Sequence, residues 1–233
     1  MTNEYSSNYP SQKTATFNNF IAIDSNQVAK TTVKEFVHEN INYHLLGISS
    51  SVGNGATHLA LAILNEIDRI NKSKEIFYSS YERLVMNKPS LNEMTLFNAE
   101  FLNTKSLILI DSFYETSYKT FSNDFFNALK DIKTKIIFTY NKEIKNPIVT
   151  KKIYLSCPSK IDKEIIIKNI LKTEKKNLSL EIINYISDQI HLSVREIEGL
   201  LISIFAKQTQ RDFNTDVELI NNIHHKLVLG RQG

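Results

Sequence analysis

The sequence predicts an α/β protein: a parallel sheet with helices on both faces, followed by a smaller all-helical region. Three observations carry this. Short apolar runs recur at 45–48, 76–78, 107–110 and 135–139, with helical patterns placed between them. A loop of small residues at 50–56 joins the first run to a helix. After about residue 156 only helical periodicity is left. Strands alternating with helices imply right-handed crossovers, and therefore a parallel sheet.

In chain order, residues 1–15 are polar and read as a disordered tail. Val28, Val33, Phe36 and Val37 give a helical pattern over 28–39. Leu45-Leu-Gly-Ile48 is a short apolar run, the mark of a buried parallel strand. Thr57 opens a helix whose Leu59, Ile63, Leu64, Ile67 and Ile70 recur at helical spacing. A second strand is expected at 76–78, then helical stretches near 80–87 and 92–102, then a strand at 107–110 ending in Asp111. A helix around 121–132 and a strand at 135–139, ending near Asn141, complete the α/β part. Helices are expected over 160–173, 179–190, 193–207 and 215–228. The organisation expected is a tail at 1–15, an α/β core at 16–156, a helical lid at 157–229 and a tail at 230–233.

Composition bounds the chemistry. Apolar residues make up 42% and charged residues 23% of 233, as in an ordinary globular chain. No apolar run approaches the roughly 18 residues a membrane span needs. The start has neither a basic nor an apolar leader region, which predicts no secretory signal. A single cysteine, Cys157, rules out an internal disulfide and a cysteine-based zinc site. Adjacent His224 and His225 would face apart on a helix, and His191 reads as solvated, so no zinc is expected. A cytoplasmic location is the expectation. Net charge is only +3, yet residues 151–176 hold eight lysines against Asp162, Glu164 and Glu174. Solvated faces and a stripe for phosphates or an acidic partner both fit that excess.

Residues 50–58, Ser-Ser-Val-Gly-Asn-Gly-Ala-Thr-His, carry the outline of a phosphate-binding loop. The pattern G-x-x-x-x-G-K-[ST] wraps backbone N–H groups around phosphates, sets a lysine on the terminal ones and a hydroxyl on Mg²⁺. Gly53, Gly55 and Thr57 stand in register, but Ser50 occupies the first glycine and Ala56 the lysine position. Strand, glycine loop and helix are the context such a motif requires. In parallel sheets ligands gather at the carboxyl ends of strands, where Asp111 and Asn141 also fall. Asp111 suits a magnesium-holding carboxylate and Asn141 a phosphate contact, while each alone also reads as a turn or cap residue. Ser193 and Glu196 form a capping box, with Arg195 in the first turn and Ile197, Leu200, Leu201, Ile204 and Phe205 as the buried stripe. Arg195 reads as an exposed helix residue or as a fork for nucleotide phosphates.

Several of these segments together are specific. Val194-Arg-Glu-Ile-Glu-Gly-Leu-Leu resembles the sensor-II helix of the bacterial replication initiator family DnaA. Val52-Gly-Asn-Gly-Ala-Thr-His-Leu is similar to its P-loop, with Thr57 and His58 matching and Ala56 replacing the lysine. Phe17-Asn-Asn-Phe20 resembles the phrase that opens its ATPase domain, and Leu107-Ile-Leu-Ile-Asp111 its Walker B strand, with Ser112 in place of the second acid. Thr139-Tyr-Asn141 falls on the sensor-I position. Over roughly 16–229 the resemblance implies an AAA+ module: a three-layer αβα core with a parallel sheet and a small helical lid. It implies nucleotide contacts from Val52, Gly53, Asn54, Gly55, Ala56, Thr57, His58, Asn141 and Arg195, with Thr57 and Asp111 on Mg²⁺ when ATP or ADP is bound.

Departures from the family pattern are as informative. The family carries an Arg-x-x-x-Arg-Phe finger after the sensor-I strand, whereas this sequence has no arginine between Arg83 and Arg195. It ends after the lid without the family's helix-turn-helix region, and in that it looks like the shorter relative Hda. Hda's arginine finger and clamp-binding motif are not evident. Loss of a charge-assisted contact of about 1.5–3 kcal/mol weakens binding by about one to two powers of ten. Phosphoryl transfer, which is mostly positioning and charge stabilisation, suffers more. The expected function is a non-hydrolysing regulator or adaptor in replication initiation, partnered by DnaA or another replication protein. The alternative is a nucleotide-dependent single-stranded DNA binder or helicase-loader-like protein.

Overall fold

The computed structural model describes residues 15–38, 43–70, 76–81, 105, 107–113, 134–141, 149–189, 192–208 and 217–229. The elements are α1 (Gln27–His38), β1 (Leu45–Ser50), α2 (Ala56–Ile70), β2 (Ile76–Ser80), β3 (Leu107–Phe113), β4 (Lys135–Tyr140), β5 (Lys151–Leu155), α3 (Lys160–Glu174), α4 (Leu180–Gln189), α5 (Val194–Lys207) and α6 (Val217–Leu229). They fall into two compact units. One comprises Met1–Ala22, Asn26–Ser51 and Gly55–Leu155; the other Ile23–Ser25, Val52–Asn54 and Ser156–Gly233.

The first unit is built on a five-stranded parallel sheet of order β2-β3-β4-β1-β5. β4 is its central strand, and β1 beside it is buried at every residue because it is flanked by β4 and β5 and covered by α2. Alanine and leucine give α2 high helix propensity, and its run from Leu59 to Leu64 is buried on all sides. α1 packs against α2 and β5 through Val33 and Phe36, both fully buried. Each such side chain contributes roughly 1.5–3 kcal/mol of transfer free energy. Ala15, placed by the sequence reading in a disordered tail, is instead buried, and its carbonyl accepts from Asn65 Nδ2 at 2.6 Å. Phe17 and Phe20 extend the same core.

Strand β5 departs from the sequence reading, which placed no strand between 139 and the helical region. Ile153 and Leu155 are buried while Lys151, Lys152 and Tyr154 are exposed. That alternation marks an edge strand with one covered face. Two of the eight lysines of 151–176 therefore belong to a sheet edge, where charge discourages pairing with another chain. The other strands agree in position and run slightly longer, β1 continuing to Ser50. The stretches read as helical near 80–87, 92–102 and 121–132 lie outside the described residues, apart from Ser80, which ends β2, and Tyr81. His191 and the tails at 1–14 and 230–233 also lie outside them.

The second unit contains α3 to α6. Ser159 caps α3 in a box with Asp162, which explains why that carboxylate is buried. Ile167, Ile186, Leu201 and Ile220, one from each helix, are fully buried. Among the described residues no helix is long and apolar enough to cross a membrane, and no group of three or more His, Cys, Asp or Glu forms a metal site.

Candidate functional site

In the first unit, β1 delivers the chain into the glycine loop and α2 leaves it. Gly55 sits at φ +98°, a left-handed backbone that side chains disfavour, with the Phe20 ring 3.0 Å from where a Cβ would stand. Ala56 follows as the first residue of α2, 7% exposed. The position that resembles a lysine site therefore holds a buried methyl group. The first turn of α2 still presents the orphan N–H groups that every helix start carries.

Thr57, one residue on, donates from Oγ1 to Asp111 Oδ1 at 2.9 Å. Thr139 Oγ1 donates to the same oxygen, and itself accepts the Ser112 N–H at 2.8 Å. Because that N–H takes a lone pair, the threonine's proton is turned toward the carboxylate. Ser112 stands at φ 57° where the β3–β4 register shifts between Ile110 and Phe113. This bulge re-aims the strand end, as bulges near functional sites do. Tyr78 on β2 adds a third hydroxyl, 3.5 Å from Asp111 Oδ2. Burial, then the charge of Asp111 and the bond to it, push the Tyr78 phenol up to about 12. Asp111 is itself buried, and among the described residues these hydroxyls are the groups that donate to it. The sequence reading had Thr57 and Asp111 but missed Tyr78 and the role of Thr139. Parallel pairing of β3 with β4, Ile110 opposite Phe138, places Thr139 beside Asp111 once register is known.

His58, named as a cofactor contact, has Nε2 3.2 Å from both the Thr16 carbonyl and Asn19 Oδ1. Its ring lies against Phe20, centroids 5.4 Å apart. Burial holds its pKa below the ordinary imidazole value, the Thr16 bond pulls back up, and the nearby Lys30 charge adds to the lowering. Asn141 lies directly after β4 and is exposed.

The second unit contains the rest of the loop. Gly53 sits at φ +86° and its carbonyl accepts the Arg195 N–H at 3.1 Å. Asn54, buried, accepts the Val194 N–H on Oδ1 and donates from Nδ2 to Cys157 Sγ, each at 3.4 Å. Val52 is exposed. Ser193 and Glu196 form the expected capping box at the start of α5, and the five predicted apolar residues line its buried side. The Arg195 side chain is exposed.

In the first unit Gly55 holds a positive φ before the start of α2, and Thr57 with Asp111 form a hydroxyl–carboxylate pair of the kind that suits a divalent cation. The backbone N–H groups at the start of α2 are of the kind that suit a phosphate. What is missing is fixed positive charge at Ala56.

The family model for the bacterial DnaA ATPase domain matches residues 11–156. The chain is 30% identical over 230 residues to the chromosomal replication initiator protein DnaA of Sulfurimonas denitrificans, covering 89% of this chain and 52% of that protein. It is 28% identical to DnaA of Flavobacterium psychrophilum, covering 91% and 48%. It thus spans about half the length of these relatives. The crystal structure of domain III of the Thermotoga maritima replication initiation protein DnaA superposes with a TM-score of 0.73 at 20% identity, over 90% of this chain and 95% of that one. A structure of replication initiator DnaA bound to AMPPCP and single-stranded DNA matches at TM-score 0.69 and 25% identity, over 83% and 65%. The fold is the AAA+ fold. On the family match, this chain belongs to the bacterial DnaA ATPase-domain family of replication initiators.

Proposed function

We propose that this DnaA-like module acts in replication initiation as a regulator or adaptor that does not turn over ATP, through contacts with DnaA or another replication protein. The observation that carries the reading is Ala56: a buried methyl at the head of α2 where the family's pattern sets its lysine. Ser112 in place of a second acid removes a further catalytic group, and no arginine lies between Arg83 and Arg195 to act as a finger. Each change lowers the charge stabilisation on which phosphoryl transfer depends.

Nucleotide binding without turnover belongs to the same reading. ATP or ADP would be held by the backbone of Val52, Gly53, Asn54, Gly55, Ala56, Thr57 and His58, with Asn141 and Arg195 as polar partners and Thr57 with Asp111 on Mg²⁺. The metal would neutralise phosphate charge that Ala56 leaves unmatched. Thr139 and Tyr78 keep the Asp111 carboxylate oriented for that task. The test pairs calorimetric titration with ATP and ADP, a turnover assay, and light scattering with purified DnaA. Association with DnaA in the absence of measurable hydrolysis supports the proposal. Turnover that vanishes on Asp111→Ala, or no association under any nucleotide condition, sinks it.

A second reading, nucleotide-dependent binding of single-stranded DNA, draws on the lysines of β5 and α3 and on the relative whose structure holds single-stranded DNA. Such binding weakens steeply as salt rises, log K falling linearly in log [salt]. Flat or absent binding at low salt removes it.

A further inference from the structure

The tip of the glycine loop makes an arrangement that the proposed function does not use. The first N–H groups of a helix have no partner within the helix and are ordinarily met by a cap, water or ligand. At α5 the Ser193–Glu196 box serves Glu196 N–H and Ser193 N–H. The two between them are served from the loop: Val194 N–H by the Asn54 side chain and Arg195 N–H by the Gly53 carbonyl. Asn54 is buried, and its amide is aimed by a second bond to Cys157 Sγ. Contact is close enough that a Cβ on Gly53 would lie 2.5 Å from Ser193 Oγ and 3.2 Å from the Arg195 Cβ.

We infer that Asn54 is a latch: with the Gly53 carbonyl it holds the first turn of α5, and so the backbone of Arg195, in place without a nucleotide. The capping box and the two loop bonds together satisfy the N–H groups of residues 193–196, so the first turn of α5 needs no anion to complete it. Asn54 is a positioning residue in this account, acting on Arg195 through Val194 and the loop carbonyl. The inference holds whether or not the module turns over ATP.

Amide hydrogen exchange read residue by residue tests it on the whole chain without nucleotide. Val194 and Arg195 amides are expected to be protected, although they head a helix. Asn54→Ala should speed their exchange about three- to ten-fold, the range a single hydrogen bond gives. Asn54→Asp, which keeps an acceptor for Val194 but loses the donor to Cys157, should restore most of the protection. Amides of Ile167 and Ile186, buried in α3 and α4, report whether the variants remain folded. Exchange of Val194 and Arg195 at free-amide rates in the native protein overturns the latch. So does protection that appears only on adding ATP or ADP, or that survives in folded Asn54→Ala. If Asn54→Ala fails to fold, Asn54→Ser, whose shorter side chain withdraws the acceptor from Val194 N–H, gives the second test: faster Val194 exchange with Ile167 and Ile186 still protected supports the inference, and unchanged exchange refutes it.

Discussion

Thr57 Oγ1 and Asp111 Oδ1 are 2.9 Å apart, joining the first turn of α2 to the end of β3, two strands from β1 in the sheet. Thr139, on the strand between, donates to the same oxygen. A buried carboxylate is tolerated when its oxygens are hydrogen-bonded, and here hydroxyls do that. Thr139→Val removes one donor and orphans the Ser112 N–H, so it should cost about 1–3 kcal/mol. Thr139→Ser, which keeps the hydroxyl, should cost about 1 kcal/mol or less from the lost methyl. Urea unfolding of the two variants beside native protein checks the order. Equal losses would show that the hydroxyl contributes nothing.

Ala56→Lys restores the charge the loop lacks. It should tighten ATP binding by about ten- to a hundred-fold, the equivalent of a charge-assisted hydrogen bond. Turnover should stay absent, since Ser112 remains and no finger arginine is gained. Calorimetry and phosphate release separate the two effects. An unchanged affinity would mean that the loop, not its charge, limits binding.

His58 sets a pH dependence. Its folded pKa lies below the ordinary value near 6.5, chiefly through burial. Between the folded and unfolded values the unfolded chain binds the extra proton, so stability rises with pH through that window. Stability is complete above about 6.5, falls as pH drops below it, and the His58 contribution levels off once pH passes the folded value. His58→Gln, uncharged throughout, should flatten the decline in melting temperature between about pH 7.5 and 5.5. A decline as steep in the variant would assign it to other titrating groups, the chain having five further histidines.

Four of five strands were legible because buried parallel strands read as apolar runs, and α5 because its capping box and stripe are local. β5 was not. Lys151-Lys-Ile-Tyr-Leu155 has only two buried residues, and a single neighbour, β1, is enough to make it a strand. Within the candidate site, the loop and Asp111 are contiguous motifs and were visible. Tyr78, Thr139 and the ring contacts of His58 depend on register and on packing across tens of residues. Ser112 at φ 57° could not be foreseen either, since its strain is imposed by the bulge. Spacing thus picked out the glycine loop and Asp111 but not the groups packed and bonded around them.

The glycines at 53 and 199 give opposite expectations for the same substitution. Gly199 lies inside α5 with nothing within 4 Å of where a Cβ would stand, so Gly199→Ala should stabilise the fold. The gain expected is about 0.5–1 kcal/mol, from helix propensity and the stiffer unfolded chain. Gly53→Ala meets φ +86° and the Ser193 hydroxyl at 2.5 Å together. It should cost about 1–3 kcal/mol of strain and loosen the bond from Arg195 N–H to the Gly53 carbonyl. Adding Ser193→Ala to Gly53→Ala removes the 2.5 Å contact but leaves the Cβ of residue 193 at 3.0 Å and the backbone strain, and it removes the α5 cap, worth about 1 kcal/mol, so it should not rescue. Thermal unfolding of the two single variants and the double variant decides this. Recovery in the double variant would show that steric contact alone, and not the left-handed backbone, requires glycine at this turn.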